Sequence, residues 1–419
     1  MNVLLKSAVI VDKGNPDLHL QRKDIYIKEG TIEAIENTVK VPKATTIIER
    51  PNLHISVGWF DTGVAFGEPG YEERETLLHG LKVAGLSGFT GLVLHPNTHP
   101  TPDSSSDIVF LKDRSEKAGV DVFPLGNLTK GGKGEKLAEL FDMHKAGAVG
   151  FYDFQSPVSN ANLLKIALLY TQGFDGLIFS FPLDITIQGM GVAHEGEIST
   201  RLGLKGIPAL SEELQIARDL YILEYTGGKL HIPTISTAGA VKLIADAKKK
   251  GLNVSCSAAV HHLFLSDHFL EGYDTNYKLL PPLRTKNDQR TLQKAVLNGT
   301  IDFVTTDHTP IDIEEKRLEF DNANYGTLGL ESAFGALNLL LGMEQSIAIL
   351  TEGRERFGVP VPTIEQGKPA NLTLFNPDNT FVFEKDHIRS TSKNSAFLGQ
   401  TLKGHPYGTI NNNQLNVSP

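Results

Sequence analysis

Ser56-Val57-Gly58-Trp59-Phe60-Asp61-Thr62-Gly63-Val64-Ala65-Phe66-Gly67-Glu68-Pro69-Gly70 decides how the chain is read. Residues 57–60 are apolar and suit a buried strand. They run into a glycine-rich polar loop. A buried strand that ends in such a loop is the repeating unit of an α/β barrel, and in that fold chemistry sits where strands end and loops begin.

Outward from this stretch, seven more short apolar runs suit buried parallel strands. They lie at 90–94, 121–125, 148–151, 176–179, 229–232, 253–257 and 301–305, with 56–60 as the first of the eight. Helical segments separate them. One spans 237–250: Thr237 can cap it, Val241, Leu243, Ile244 and Ala247 form its apolar face, Lys248 to Lys250 suit the negative end of its dipole, and Gly251 ends it. Another spans 211–225, with Glu212 and Glu213 in its first turn. Eight such units over 54–354 predict an α/β chain built on a (β/α)8 TIM barrel.

The two ends read differently. Residues 1–53 are strand-rich, with β-branched runs between turns such as Lys13-Gly14-Asn15-Pro16. Residues 355–419 return to strands after the turn Gly367-Lys368-Pro369-Ala370. Together the ends predict one small β-sandwich beside the barrel.

Composition narrows the functional classes. The chain has 419 residues, of which 40% are hydrophobic and 21% charged, with a formal net charge of −9. That charge argues against a nucleic-acid or anionic-membrane surface. No apolar run is long enough to span a bilayer. The single cysteine, Cys256, excludes an intrachain disulfide and a thiolate metal cluster. With no signal-peptide pattern at the N-terminus, the expected compartment is the cytoplasm.

The opening stretch resembles the signature of the dihydroorotases, a branch of the amidohydrolase superfamily, which reads Asp-x-His-x-His-Phe-Arg-Glu-Pro-Gly. Asp61, Phe66, Glu68, Pro69 and Gly70 keep the frame, while Gly63, Ala65 and Gly67 replace both histidines and the arginine. The resemblance continues along nearly the whole chain. His95-Pro96-Asn97-Thr98 is similar to the family's Met-Pro-Asn-Thr, in which Asn97 would bond the substrate carboxylate. Asp153 stands at the fourth strand, where the family has a metal-bridging carboxylate. Gly191-Val192-Ala193-His194-Glu195-Gly196 resembles a family loop, and counting back from it sets Phe181 at a metal histidine. His231-Ile232-Pro233-Thr234 resembles His-Ile-x-His, with Thr234 at the ligand. Val260-His261-His262-Leu263 matches Pro-His-His-Leu. Lys278 to Arg284 matches Lys-x-Asn-Pro-Pro-Leu-Arg, with Leu280 at the substrate asparagine. Thr306-Asp307-His308-Thr309-Pro310-Ile311 matches Thr-Asp-His-Ala-Pro-His, with Asp307 at the metal ligand and general base and Ile311 at the last histidine.

The resemblance implies a pair of zinc ions, a bridging hydroxide that attacks a cyclic amide, and an aspartate that moves the proton. Of the ligands this chain keeps Asp153 and Asp307. The four histidine positions are Gly63, Ala65, Phe181 and Thr234. Two carboxylates alone make a poor zinc site. The expectation is therefore a homologue with no metal, in which Asp307 and Asn97 are vestigial. It would act as a non-catalytic partner of aspartate transcarbamoylase in pyrimidine synthesis, and homo-oligomers are common among such relatives. The alternative is a working dihydroorotase or related cyclic-amide hydrolase with a rebuilt site, using His95, His99 or His308 with Asp153 and Asp307. A third reading is a small-molecule sensor that uses the old pocket. His231 reads best as a core or loop hydrogen bond. His261 and His262, adjacent on a strand, point to opposite faces and cannot chelate together.

Overall fold

The computed structural model describes residues 1–418. At the N-terminus, alternating apolar residues form β1 (Asn2–Ile10), β2 (Arg22–Lys28), β3 (Thr31–Glu36), β4 (Thr46–Ile48) and β5 (His54–Val57). One side of β1 pairs with β2. The other side pairs with β4 over Val3 to Leu5 and then with β5 over Val9 and Ile10. The change of neighbour falls at a bulge, where Ser7 has φ 54° and its N–H donates to Asp24 Oδ1 at 2.9 Å.

The first barrel strand is β6 (Trp59–Val64), and β7 (Phe89–Leu94) and β8 (Asp121–Pro124) run parallel beside it. A second parallel group contains β9 (Leu177–Phe179), and a short ribbon follows it in the chain, β10 (Ala193–His194) with β11 (Gly206–Ile207). The group is completed by β12 (Lys229–Ile232), β13 (Val254–Ala259) and β14 (Phe303–Thr305), in the order β14-β13-β12-β9. Single parallel bridges join the two groups: Gly126 to Phe151, Phe151 to Ile178, and Val64 to His308. The expected eight-stranded ring is thus present as two arcs with bridged seams rather than one continuous ladder.

The final strands are β15 (Leu372–Val382), β16 (Thr401–Asn411) and β17 (Gln414–Val417). Because β15 pairs with β5, the two chain ends form a single sheet in the order β17-β16-β15-β5-β1-β2-β3. It has its own apolar core, including Leu5, Ile27, Ile55, Leu374 and Ile410. Where a sandwich is expected, the ends form one connected sheet.

Three expectations need correction. The predicted strand 56–60 is divided between two sheets, because Ser56 and Val57 pair with β15 whereas Trp59 and Phe60 pair with β7. Gly58 is the joint. A Cβ there would collide with Thr90 Oγ1 and Asn371 Oδ1, so only glycine lets the chain pass between the sheets. The predicted strand 148–151 shrinks to Phe151. Its hydrogen bonds are shared between neighbours on both sides: Phe151 N–H donates to Leu177 O, and Gly126 N–H donates to Gly150 O. Finally, His261 and His262 lie on the short helix Val260–Phe264, not on a strand, and their ring centroids are 4.4 Å apart.

The helices follow their signals more closely. Ala238–Lys249 is capped by Thr237, whose hydroxyl accepts from Ala240 N–H at 3.1 Å, and Gly251 follows with φ 80°. The helix expected over 211–225 runs Ala209–Thr226, starting directly after Pro208. Among the described residues no helix is long and apolar enough to cross a membrane.

Candidate functional site

At the ends of β6 and β7, Gly63 and His95 face each other. A Cβ placed on Gly63 would collide with His95 Nε2 and lie 2.9 Å from His95 Cε1. The imidazole of His95 therefore fills the space that a side chain at position 63 would occupy. Its ring packs on Tyr152 and Phe154, each with a centroid distance of 5.3 Å. Nδ1 of His95 is buried without a partner, and burial pushes its pKa down to about 3. It is a neutral imidazole used as packing.

The other histidine positions are buried as well, and none carries an imidazole. Phe181 is 1% exposed and shares an apolar cluster with Phe179, Tyr152, Leu183 and Leu280. Two positions that would carry a metal ligand and a substrate asparagine thus contribute to one hydrophobic core. Ala65 is buried, and its N–H donates to His308 O at 2.8 Å. Thr234 has φ 47°, a strained conformation for a β-branched residue, and its N–H donates to Ser257 Oγ at 3.1 Å.

The two retained carboxylates have different partners. Asp153 Oδ1 accepts from Thr129 N–H at 2.9 Å and Asn127 Nδ2 at 3.2 Å, and Oδ2 accepts from Thr129 Oγ1 at 2.5 Å. Both of its oxygens are committed to the loop after β8. Asp307 has φ 48°, and its carboxylate lies 4.0 Å from His261 Nε2. Burial, and then the charge of Asp61, push the Asp307 pKa well above the carboxylate range. Both ring nitrogens of His261 are buried without partners, and burial drives its pKa well down. Asp61 itself accepts from Thr305 Oγ1 at 2.7 Å, from Thr306 Oγ1 and from Gly63 N–H at 3.1 Å, and burial lifts its pKa to about 6.

The histidines of the rebuilt-site alternative lie apart. His99 is exposed. His308 is buried, and its Nδ1 accepts from Gly329 N–H and Leu330 N–H. Among the described residues, no group of three or more histidine, cysteine, aspartate or glutamate side chains is placed to hold a metal ion. His231 is in the core, bonded to Ser255 Oγ at 2.9 Å and Ser257 Oγ at 3.2 Å. His194 Nδ1 accepts from Arg284 Nη1 at 3.0 Å.

Above this filled floor an open cleft of about 380 Å³ remains, lined by Asn97, Asp153, Arg74, Tyr325 and Ile311 among others. Asn97 Oδ1 is buried without a partner. Arg74 stacks over Tyr71 at 4.3 Å and pairs with Glu315 at 2.9 Å. Tyr152 and Arg74 are site residues that the sequence reading did not single out. Strand alternation sets Tyr152 on the face opposite Asp153, so it gives no signal that both reach the site, and no local pattern marks Arg74.

A parallel α/β core with ligand-type positions at its strand ends defines an amidohydrolase-like fold. The solved structures agree on the fold. An L-hydantoinase (dihydropyrimidinase) from Arthrobacter aurescens superposes with a TM-score of 0.83 at 22% identity, covering 98% of this chain and 94% of that one. A D-hydantoinase gives 0.80 at 19% identity, with the same coverage. The family model described as dihydro-orotase-like matches residues 54–240. Full-length relatives include the dihydroorotase of Pelotomaculum thermopropionicum, 38% identical over 98% of this chain and 97% of its own, and that of Geobacter metallireducens, 36% identical over 98% of each. The chain belongs to the dihydroorotase family.

The two zinc ions expected in that family do not fit the residues present. The four histidine positions offer hydrogen, methyl, phenyl and hydroxyl groups, and both Asp153 oxygens already accept hydrogen bonds from Asn127 and Thr129.

Proposed function

We propose that this chain is a catalytically inactive dihydroorotase homologue that binds no zinc and acts in the cytoplasm as a structural partner of aspartate transcarbamoylase in pyrimidine synthesis. The observation that carries the reading is the His95 ring seated over Gly63. A site that had only lost ligands would be left open. This one is repacked, with Phe181 and Leu280 in the same buried cluster. The relatives' name supports the pathway, and their full-length similarity supports a scaffold kept close to that of an enzyme.

Carbamoyl-aspartate cyclisation, assayed with added zinc, tests the catalytic half. The reading expects no turnover above the uncatalysed rate. Zinc-dependent turnover would instead favour the rebuilt-site hydrolase using His95, His99 or His308 with Asp153 and Asp307. Copurification of tagged chain with aspartate transcarbamoylase tests the partner half. A stable complex of defined stoichiometry is expected, and no association at micromolar concentration would overturn it.

A further inference from the structure

At the opposite end of the strands from the mouth, a cleft of about 930 Å³ opens beneath the starts of β12, β13 and β14. Two arginines from one short helical turn, Arg354–Phe357, line it. Gly353, with φ 99°, turns the chain under the barrel just before them, and a Cβ there would lie 2.9 Å from Thr62 Cγ2.

Arg354 is 3% exposed. Its guanidinium lies 4.8 Å from the Phe60 ring centroid, and Nη2 donates to Thr90 Oγ1 at 3.1 Å and Gly58 O at 3.4 Å. Its Nε is buried without a partner. Burial lowers its pKa to about 10, so it stays charged at neutral pH. Arg356 Nη2 donates to Leu230 O at 2.9 Å and Asn253 O at 3.2 Å, Nη1 donates to Asn253 Oδ1, and its Nε is likewise buried and unpartnered.

All of these acceptors are neutral. Neither guanidinium makes a direct ion pair: Asp121, whose charge acts on Arg354, accepts from the Asn411 and Asn412 side-chain amides, Asp302, which also lines the cleft, pairs with Lys248 at 2.6 Å, and Asp175 pairs with Lys229. Glu352 and Glu355 stand at the cleft but are exposed. A buried guanidinium with no directly paired anion is costly, and its fork matches a planar or tetrahedral oxyanion.

We propose that this cleft is a binding site for a multivalent oxyanion, a phosphate ester or a polycarboxylate, held by Arg354 and Arg356. Its volume lies in the range of small-molecule sites, and Phe303 and Leu297 supply apolar wall for an organic body. Nothing in the mouth is involved, so the proposed function stands or falls separately.

Calorimetric titration of the full chain with sodium pyrophosphate and, separately, with citrate at constant ionic strength tests the site. Saturable binding of pyrophosphate alone identifies phosphate chemistry, of citrate alone polycarboxylate chemistry, and of both a general oxyanion site. Arg356→Gln is expected to weaken that binding about tenfold. Val361→Glu, which adds a negative charge at an exposed position lining the cleft, is expected to weaken it similarly without altering the fold. If Arg356→Gln does not fold, Val361→Glu decides. No saturable binding of either anion, or binding unchanged in a folded variant, overturns the proposal.

Discussion

His95 and Gly63 form the smallest unit of the account. If the imidazole occupies the old ligand space, Gly63→Ala will overpack it and lose about 1–3 kcal/mol in urea unfolding. His95→Ala made together with Gly63→Ala removes the collision. The double variant is then expected to be more stable than the sum of the single changes by about 1 kcal/mol or more. Strict additivity would show that the two positions do not share space.

A second residue-scale consequence concerns pH. His262 is buried, its Nε2 donates to Pro281 O at 3.0 Å, and burial lowers its pKa to about 4. Its ordinary value is 6.5. As pH falls between these values, the unfolded chain takes up a proton that the native state refuses, so native stability drops. Buried carboxylates such as Asp61 act in the opposite sense, so the comparison has to be with a variant. The wild type is expected to lose stability relative to His262→Gln between about pH 7 and about pH 4.5. A stability difference that stays constant with pH would contradict this.

Among elements, the junction of β5 and β6 is tightly constrained. Gly58→Ala is expected to cost about 3 kcal/mol, seen as a lower unfolding midpoint, because Thr90 and Asn371 close on the backbone from both sides. Wild-type stability in this variant would mean the two sheets are not locked at that point. The same junction shows what the sequence left hidden. Ser56 to Phe60 reads as one apolar run, since burial by two different sheets leaves the same composition as burial by one. The run 148–151 reads as a strand by composition, yet only Phe151 bridges its neighbours. His261 and His262 follow a strand directly, and nothing in their identity marks the turn into helix at Val260. Thr237 and Gly251 were legible because capping is local chemistry, decided by neighbours a few residues away.

Over the whole molecule, the order of strand-end motifs carried the family, and the empty histidine positions were plain from residue identity alone. Their replacement by packing was not. That His95 from β7 would lie over Gly63 from β6, or that Phe181 and Leu280 would join one cluster, depends on contacts between distant segments. Arg354 and Arg356 carry no local signal for the same reason. They lie at the end of the barrel segment in sequence, and only the folded chain places them beneath it without a directly paired carboxylate.

The claim on which the rest depends is that the mouth offers no zinc site. Zinc content measured by plasma emission, after incubation with excess zinc and its removal by gel filtration, tests it directly. The account predicts that zinc stays far below stoichiometric and that Asp307→Asn makes no difference. Two zinc ions retained per chain, and lost on Asp307→Asn, would contradict it.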